Sequence, residues 1–359
     1  MKVGIVGMPN AGKSSLFSAL TGVAAEAANY PFTTIEPNIA VVPVRDERLE
    51  QVAETIRASK IVPDTIAFHD IAGLVAGAHR GEGLGNQFLA NIRETDALVH
   101  VVRVHDDESV VHPDGRVDPL ADIETIETEL IYADLEQAER RYDRVARNAK
   151  SGDRRAVAEA VWLKSLIEAL QAGRPARTVP PPEDAPDAQV LLGSLTAKPV
   201  LFVANVSEGE VAVPPEVAAH AEAIGAAAVA ISARLEAELG ELDPDEAAAM
   251  RADLGLSESG LEAVVRGAFS LLGLIAFFTA GEDKPAQSWH LRGGLSVWYA
   301  AGQIHSDIQR GFVRAEVVCW DKLVTYGGYA GAREHAALRL EGRDYVVQDG
   351  DVITVKFTP

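Results

Sequence analysis

The eight residues Gly7-Met8-Pro9-Asn10-Ala11-Gly12-Lys13-Ser14 constrain this chain more than any other stretch. They fit G-x-x-x-x-G-K-[ST] and stand between two runs of opposite periodicity. Val3-Gly4-Ile5-Val6 reads as a short buried strand, and Ser15-Leu16-Phe17-Ser18-Ala19-Leu20 reads as the first turns of a helix. Such a loop turns consecutive backbone N–H groups toward a phosphate, and the helix dipole strengthens the field there. Lys13 is then placed to reach the β/γ-phosphates, and the Ser14 hydroxyl to ligate Mg²⁺. The implied ligand is a nucleoside phosphate, cradled by Gly7 to Ser15.

Two further segments follow in the order that a nucleotide switch requires. Ile66-Ala67-Phe68-His69-Asp70 is a second buried strand, ending in Asp70-Ile71-Ala72-Gly73. In a D-x-x-G turn of this kind the Asp holds Mg²⁺ through water and the Gly amide contacts the γ-phosphate. Between the loop and this turn lies Tyr30-Pro31-Phe32-Thr33-Thr34-Ile35-Glu36-Pro37, a Pro-bounded polar stretch in which Thr34 is the preferred Mg²⁺ ligand. Glycines 77, 81, 83 and 85 make the segment after Gly73 deformable, as a stretch ordered by a γ-phosphate needs to be.

The base-reading segment departs from the guanine pattern. Lys198 to Ala204 reads as a strand entering Asn205-Val206-Ser207-Glu208. A guanine site carries N-K-x-D there, its Asp accepting from guanine N1–H and the exocyclic amine. Adenine offers an acceptor at N1, which leaves such a carboxylate without a partner. Val206 and Glu208 replace the Lys and the Asp, while the Asn205 amide suits adenine N6 or N7. ATP is favoured over GTP, and a GTPase switch remains the alternative if Glu208 still accepts guanine. Ile231-Ser232-Ala233-Arg234 supplies a strand end at which the Ser232-Ala233 backbone would face the base.

The conjunction of GMPNAGKS, NYPFTTIEPN, DIAGLVAGAHRGEGLGNQFL, NIRETDALVHVVR and NVSE resembles the YchF/Obg-like ATPase family of translation-factor-related P-loop proteins. The resemblance runs nearly the full length. It implies an α/β, doubly wound P-loop NTPase domain, an inserted antiparallel helical hairpin and a C-terminal β-grasp (TGS) domain. It also implies slow Mg²⁺-dependent ATP hydrolysis and nucleotide-switched association with the ribosome, through its large (50S) subunit or the 70S particle. Ras-like enzymes place a glutamine after the D-x-x-G glycine, and this chain has Leu74, which cannot orient water. The resemblance points instead to His112, in the loop Val110-Val111-His112-Pro113-Asp114-Gly115. A loop imidazole near neutral pKa can orient water and move with the switches. Asn10 stands where some potassium-activated relatives help hold a monovalent cation, so K⁺ joins ATP and Mg²⁺ as a candidate cofactor. Leu74 also keeps open an adaptor that binds ATP without turning it over. His69, His79 and His100 have blander readings: packing behind the Mg²⁺ site, a solvated switch residue, and a satisfied histidine inside the strand 97–104.

The expected division assigns 1–122 and 197–276 to the nucleotide domain, 123–196 to the hairpin and 277–359 to the β-grasp domain. Ile123 to about Asn148 repeats apolar residues at helical spacing, Gly152 breaks the pattern, and Val157, Val161, Leu166 and Leu170 resume it. Pro175 to Pro182 is a stiff connector back to the core. Arg140, Arg141, Arg144, Arg147, Lys150, Arg154 and Arg155 crowd the hairpin tip. They are either a local basic patch for RNA or a solvated face paired with Glu136, Glu139 and Asp143. A net charge of −20 opposes indiscriminate nucleic-acid binding, and no sequence-specific DNA partner is expected. One cysteine, Cys319, excludes an intrachain disulfide, Met1-Lys2 leaves no room for a signal peptide, and the apolar run 267–280 is too short for a membrane span. A cytoplasmic protein is expected. Leu261 to about Leu274 reads as a core helix running into a strand. In the last part, Tyr345 to Phe357 reads as a hairpin around Asp349-Gly350, and Ala330 to Leu340 as a short helix. Gly302 to Ala315 resembles the TGS signature, and His305 with Asp307 reads as a polar surface pair, so this domain is expected to dock rather than catalyse.

Overall fold

The structure, a computed structural model, describes residues 1–26, 38–71, 84–105, 115–256 and 259–358. Its strands begin with β1 (Lys2–Val6), β2 (Ile39–Val44), β3 (Lys60–Val62), β4 (Asp64–Asp70), β5 (Ala97–Arg103), β6 (Val200–Asn205) and β7 (Ala227–Ile231). They end with β8 (Leu274–Thr279), β9 (Pro285–Arg292), β10 (Phe312–Cys319), β11 (Arg339–Glu341) and β12 (Asp351–Phe357). The helices of the first part are α1 (Lys13–Glu26), α2 (Glu47–Ile56), α3 (Leu84–Arg93), α4 (Pro119–Ala149) and α5 (Arg154–Gln171). After these come α6 (Ala188–Leu192), α7 (Pro215–Ala223), α8 (Ala233–Leu239), α9 (Pro244–Asp253) and α10 (Gly260–Leu271). The described residues divide into two compact units: residues 1–25, 38–40, 67–71, 84–105, 115–256 and 259–268, and residues 26, 41–66 and 269–358.

A six-stranded sheet in the order β2-β4-β1-β5-β6-β7 organises the first unit, with parallel pairing from β4 through to β7. Every residue of β5 is buried, as are Val3 to Val6 of β1. Near-continuous apolar strands are what a parallel sheet covered on both faces demands. From β1 the chain builds the β4 side first and returns through β5 on the other side. The order therefore reverses between β1 and β5, and ligands of doubly wound sheets sit at the carboxyl ends of strands at such a point.

Helix α4 starts earlier than the periodicity indicates. Asp118 caps it by accepting from Ala121 N at 3.1 Å, and Pro119 fills a first-turn position where its missing N–H costs nothing. Its first half packs on the sheet, Ile123 beside Val102 and Phe202, and Ile126 and Leu130 beside Val6 and Leu98. Its second half packs against α5, where Trp162, Leu163, Leu166 and Leu170 meet Ile131 and Ala138. Gly152 (φ 80°) turns the chain, and Asp153 caps α5 through Ala156 N, completing the antiparallel hairpin. The proline connector is not a free spacer: Ala176 is buried in the hairpin core and Trp162 Nε1 donates to Val179 O at 3.1 Å. Asp134 fastens the return, accepting from Leu195 N, Thr196 N and Thr196 Oγ1 at 2.7–2.8 Å.

The second unit carries the order β11-β10-β12-β8-β9-β3 and the helices α11 (Val297–Ile304), α12 (Ser306–Arg310), α13 (Trp320–Thr325) and α14 (Tyr329–Glu334). Strands β8 and β12 lie parallel at its centre, with β9 and β10 antiparallel outside them and α11 between those two in the chain. That is a β-grasp arrangement. Four readings change here. Helix α2 and β3, which the expected division placed in the nucleotide domain, pack here: β3 pairs with β9, and α2 buries Leu49, Val52 and Ile56 against Phe278, Val318 and Val352. Tyr345–Phe357 is no hairpin, because Asp349 instead accepts from Ala276 N and pairs with Arg48, while β12 pairs with β10. Leu340 lies in β11, since α14 stops at Glu334. The core helix expected to about Leu274 ends at Leu271, and Gly273 (φ 61°) turns the chain into β8.

Candidate functional site

The glycine loop sits at the carboxyl end of β1 and is locked by its own shape. Gly7 has φ 154° and Gly12 φ 99°, where side chains are strained. A Cβ on Gly7 would overlap Val101 O, and one on Gly12 would overlap Asn205 Nδ2. Asn10 holds a left-handed backbone (φ 61°), a conformation that Asn tolerates better than most residues. Met8 buries its side chain in the core beside Val6 and Ile71, and Pro9 is half-buried. The Met8 carbonyl accepts from Ala11 N (3.3 Å) and from Lys13 Nζ (2.8 Å). Lys13 is buried, and desolvation pulls it down to about 8 against the raising effect of Asp70. Asp70, the last residue of β4, is pushed up by burial and held back by Lys13. The hydroxyl-bearing Ser14 and Ser15 are exposed.

A cleft of about 770 Å³ opens over this loop. Asn10, Gly12, Lys13, Ser14 and Ser15 line one side, and Asn205, Val206, Glu208, Ser232 and Arg234 another. The structure thus brings the phosphate loop and the base segment to one place. Asn205 changes role on the way. Its Nδ2 donates to Ala11 O at 3.0 Å and its Oδ1 accepts from Ala233 N at 3.1 Å. The buried amide is a latch between the phosphate loop and α8, and the Ala233 N–H that was expected to face the base is engaged by it. Ser232 caps α8 through Leu235 N at 3.4 Å. Glu208 is not a free carboxylate: Oε1 lies 3.2 Å from Arg234 Nε, which also reaches Glu238 at 3.0 Å.

His105 was not singled out by the sequence, yet it lines the cleft just beyond β5, with its carbonyl accepting from Arg103 Nε at 3.1 Å. The available signal was its position after the strand adjoining β1 at the switch point. His100 is buried as expected but not satisfied, since its Nε2 has no hydrogen-bond partner. Thr34, Gly73, Leu74, His79 and His112 lie outside the described residues. The donor set that is described fits a magnesium–nucleotide. It offers the exposed hydroxyls of Ser14 and Ser15, one carboxylate and a buried ammonium, and no cluster of three or more metal-ligating side chains occurs among the described residues. Mg²⁺ bound mainly through phosphates needs few protein ligands.

At the hairpin tip the cationic cluster divides. Arg141 pairs with the buried Glu159 at 2.5 Å and donates to Leu191 O, and Arg154 and Arg155 pair with Asp184 and Asp187. Arg140 meets Glu136 at 3.4 Å. Arg144, Arg147 and Lys150 are exposed and have no carboxylate partner among the described residues. His305 and Asp307 are an exposed pair in which Nδ1 caps α12. No helix among the described residues is long and apolar enough to cross a membrane.

Two family models match the chain: the 50S ribosome-binding GTPase model over residues 2–135 and the YchF GTPase C-terminal model, described as a protein of unknown function, over residues 274–358. The chain is 47% identical to the ribosome-binding ATPase YchF of Bacillus subtilis, over 99% of both chains. It is 45% identical to the protein of the same name from Escherichia coli O157:H7, again over 99% of both. Among solved structures, the Schizosaccharomyces pombe YchF GTPase superposes with a TM-score of 0.87 at 32% identity, covering 99% of this chain and 97% of that one.

Proposed function

The chain belongs to the YchF family, and from that premise we propose that it binds and hydrolyses ATP with Mg²⁺ and that its nucleotide state sets its association with the ribosome. The observation that carries the choice of base is the Glu208–Arg234 pair within the cleft. Guanine needs a carboxylate free to accept two hydrogen bonds, and here it would have to displace a guanidinium first. Adenine makes no such demand. Val206, buried beside this pair, offers no polar group to compensate.

In this reading the backbone from Gly7 to Ser15 and the Lys13 ammonium bind and orient the phosphates. Mg²⁺, when bound, would neutralise charge on the phosphate oxygens, and Ser14, Thr34 and, through water, Asp70 would hold it. Gly73 contacts the γ-phosphate, His112 orients the attacking water, and Asn10 is the candidate K⁺ ligand. The relatives named above as ribosome-binding ATPases support the ribosome as partner, with the 50S subunit favoured. For this chain we assign the contact to the unpaired cations at the hairpin tip. The family model and the solved relative described as GTPases favour a second reading, GTP as the working nucleotide.

Equilibrium binding of ATP and GTP to the purified protein with Mg²⁺ separates the two. ATP binding at least tenfold tighter is expected, and equal or tighter GTP binding would return the chain to the GTPases. Single-turnover hydrolysis by His112→Ala then tests catalysis. Retained ATP binding with lost hydrolysis is expected, whereas a native protein that binds but never hydrolyses ATP is an adaptor.

A further inference from the structure

Behind the phosphate loop the first unit holds a second cavity, of about 220 Å³. Val6, Leu98 and His100 line it from the sheet, Ile126 and Leu130 from α4, and Pro175 from the connector that follows α5. Protein interiors leave few voids larger than a water molecule, and an apolar void of roughly 150 Å³ already admits benzene. A space of this size accommodates one or two fused rings.

Its polar groups are few and incompletely engaged. His100 is buried, its Nε2 lacks a partner, and desolvation brings it down to about 3, with His220 and Lys13 adding to the effect. The ring is therefore neutral and offers one donor and one acceptor. Glu127 stands on the same wall, its Oε1 3.4 Å from His220 Nε2 and 3.7 Å from Arg177 Nη2. Both separations exceed those of a charge-assisted hydrogen bond, so the carboxylate has room to accept from an N–H. Thr196 offers nothing further, since its hydroxyl donates to Asp134 and accepts from Ala176 N. The Glu127–Arg177 pair already balances charge at the wall, which disfavours an ionised guest.

We propose that this cavity is a binding site for an uncharged planar nitrogen heterocycle of one or two rings, held by hydrogen bonds to His100 and Glu127. Apolar walls supply the affinity and the two polar groups the orientation, the usual division in small-molecule pockets. The site is separate from the nucleotide cleft, with which it shares no lining residue.

The test titrates benzimidazole into the full chain carrying ring-¹⁵N histidine, with a non-hydrolysable ATP analogue saturating the nucleotide cleft. A saturable shift of the His100 ring resonances is expected, and indene, which has the same shape without nitrogen, should bind at least tenfold more weakly. His100→Phe should remove that preference, and Ile224→Phe, which adds bulk to a residue that also lines the cavity, should abolish binding of both probes. Equal affinity for the two probes, an absent His100 shift, or full competition by the nucleotide analogue would overturn the proposal. The ring titration of the native chain stands even if a variant fails to fold.

Discussion

Burial leaves Lys13 at about 8 instead of 10.5, so above pH 8 a growing share of molecules presents a neutral amine to the cleft. A bound triphosphate favours the ammonium, so ATP binding at pH 8.5 to 9 should take up a substantial fraction of a proton, and at pH 6.5 almost none from this group. Calorimetry in two buffers of different ionisation enthalpy measures the uptake. The sign for stability follows from the same shift. The folded value lies below the unfolded one, so between pH 8 and 10.5 the unfolded chain holds the additional proton and folding gains as pH rises. Lys13→Met should lack that gain, which amounts to ~3 kcal/mol across the window. Gly12→Ala tests the loop itself. Its Cβ would overlap the Asn205 amide in a backbone region strained for alanine, so ATP affinity should fall at least a hundredfold in equilibrium binding while the far-ultraviolet circular dichroism stays native. Arg234→Ala bears on the base. With Glu208 released, GTP should gain on ATP by roughly tenfold, the worth of one recovered hydrogen bond to a charged group. An unchanged ratio in the same binding assay would separate Glu208 from base choice.

Among the elements, the inserted hairpin depends on one carboxylate. Asp134 is 1% exposed and accepts three hydrogen bonds from Leu195 and Thr196, which tie α4 to the segment returning to β6. Asp134→Ala strands two backbone N–H groups and a hydroxyl, and should cost ~3 kcal/mol in urea unfolding. Hydrogen exchange at Leu195 and Thr196 should accelerate ahead of that in β5. The hairpin was legible because its signals are local: apolar spacing along α4 and α5 and a glycine at the turn. The strand–loop–helix around Gly7 was legible for the same reason. What escaped depends on distant partners. The amphipathic face of α2 looks the same whether it covers the first sheet or the second, and only Phe278, Val318 and Val352, more than two hundred residues on, decide it. Asp349-Gly350 carries a hairpin signal, but Arg48 and the Ala276 amide engage that Asp. Within the site, residue types pointed to the loop and the base segment that line one cleft, while the latch role of Asn205 and the nearness of His105 follow from which strands adjoin β1.

For the whole molecule, a charge of −20 makes approach to RNA unfavourable everywhere except where cations stand unopposed. Seven basic residues near the hairpin turn look like one patch in sequence, but Arg140, Arg141, Arg154 and Arg155 are already paired. Arg144 and Arg147, one helical turn apart and both exposed, are what remains with Lys150 to meet phosphates. If these make the ribosome contact proposed above, Arg144→Glu with Arg147→Glu should weaken it at least tenfold and flatten its salt dependence. Each lost phosphate contact removes roughly 0.7–0.9 from the slope of log affinity against log salt. ATP affinity should not change. Arg154→Ala with Arg155→Ala is the control, since those side chains answer Asp184 and Asp187, and removing exposed pairs of this kind costs little. Arg141→Ala should act differently again, lowering stability because Glu159 would be left buried without its partner. Sedimentation with ribosomes across a salt series distinguishes the three. If the Arg144/Arg147 variant kept native affinity and slope, the contact would have to lie elsewhere on the chain and the hairpin tip would be only a solvated turn.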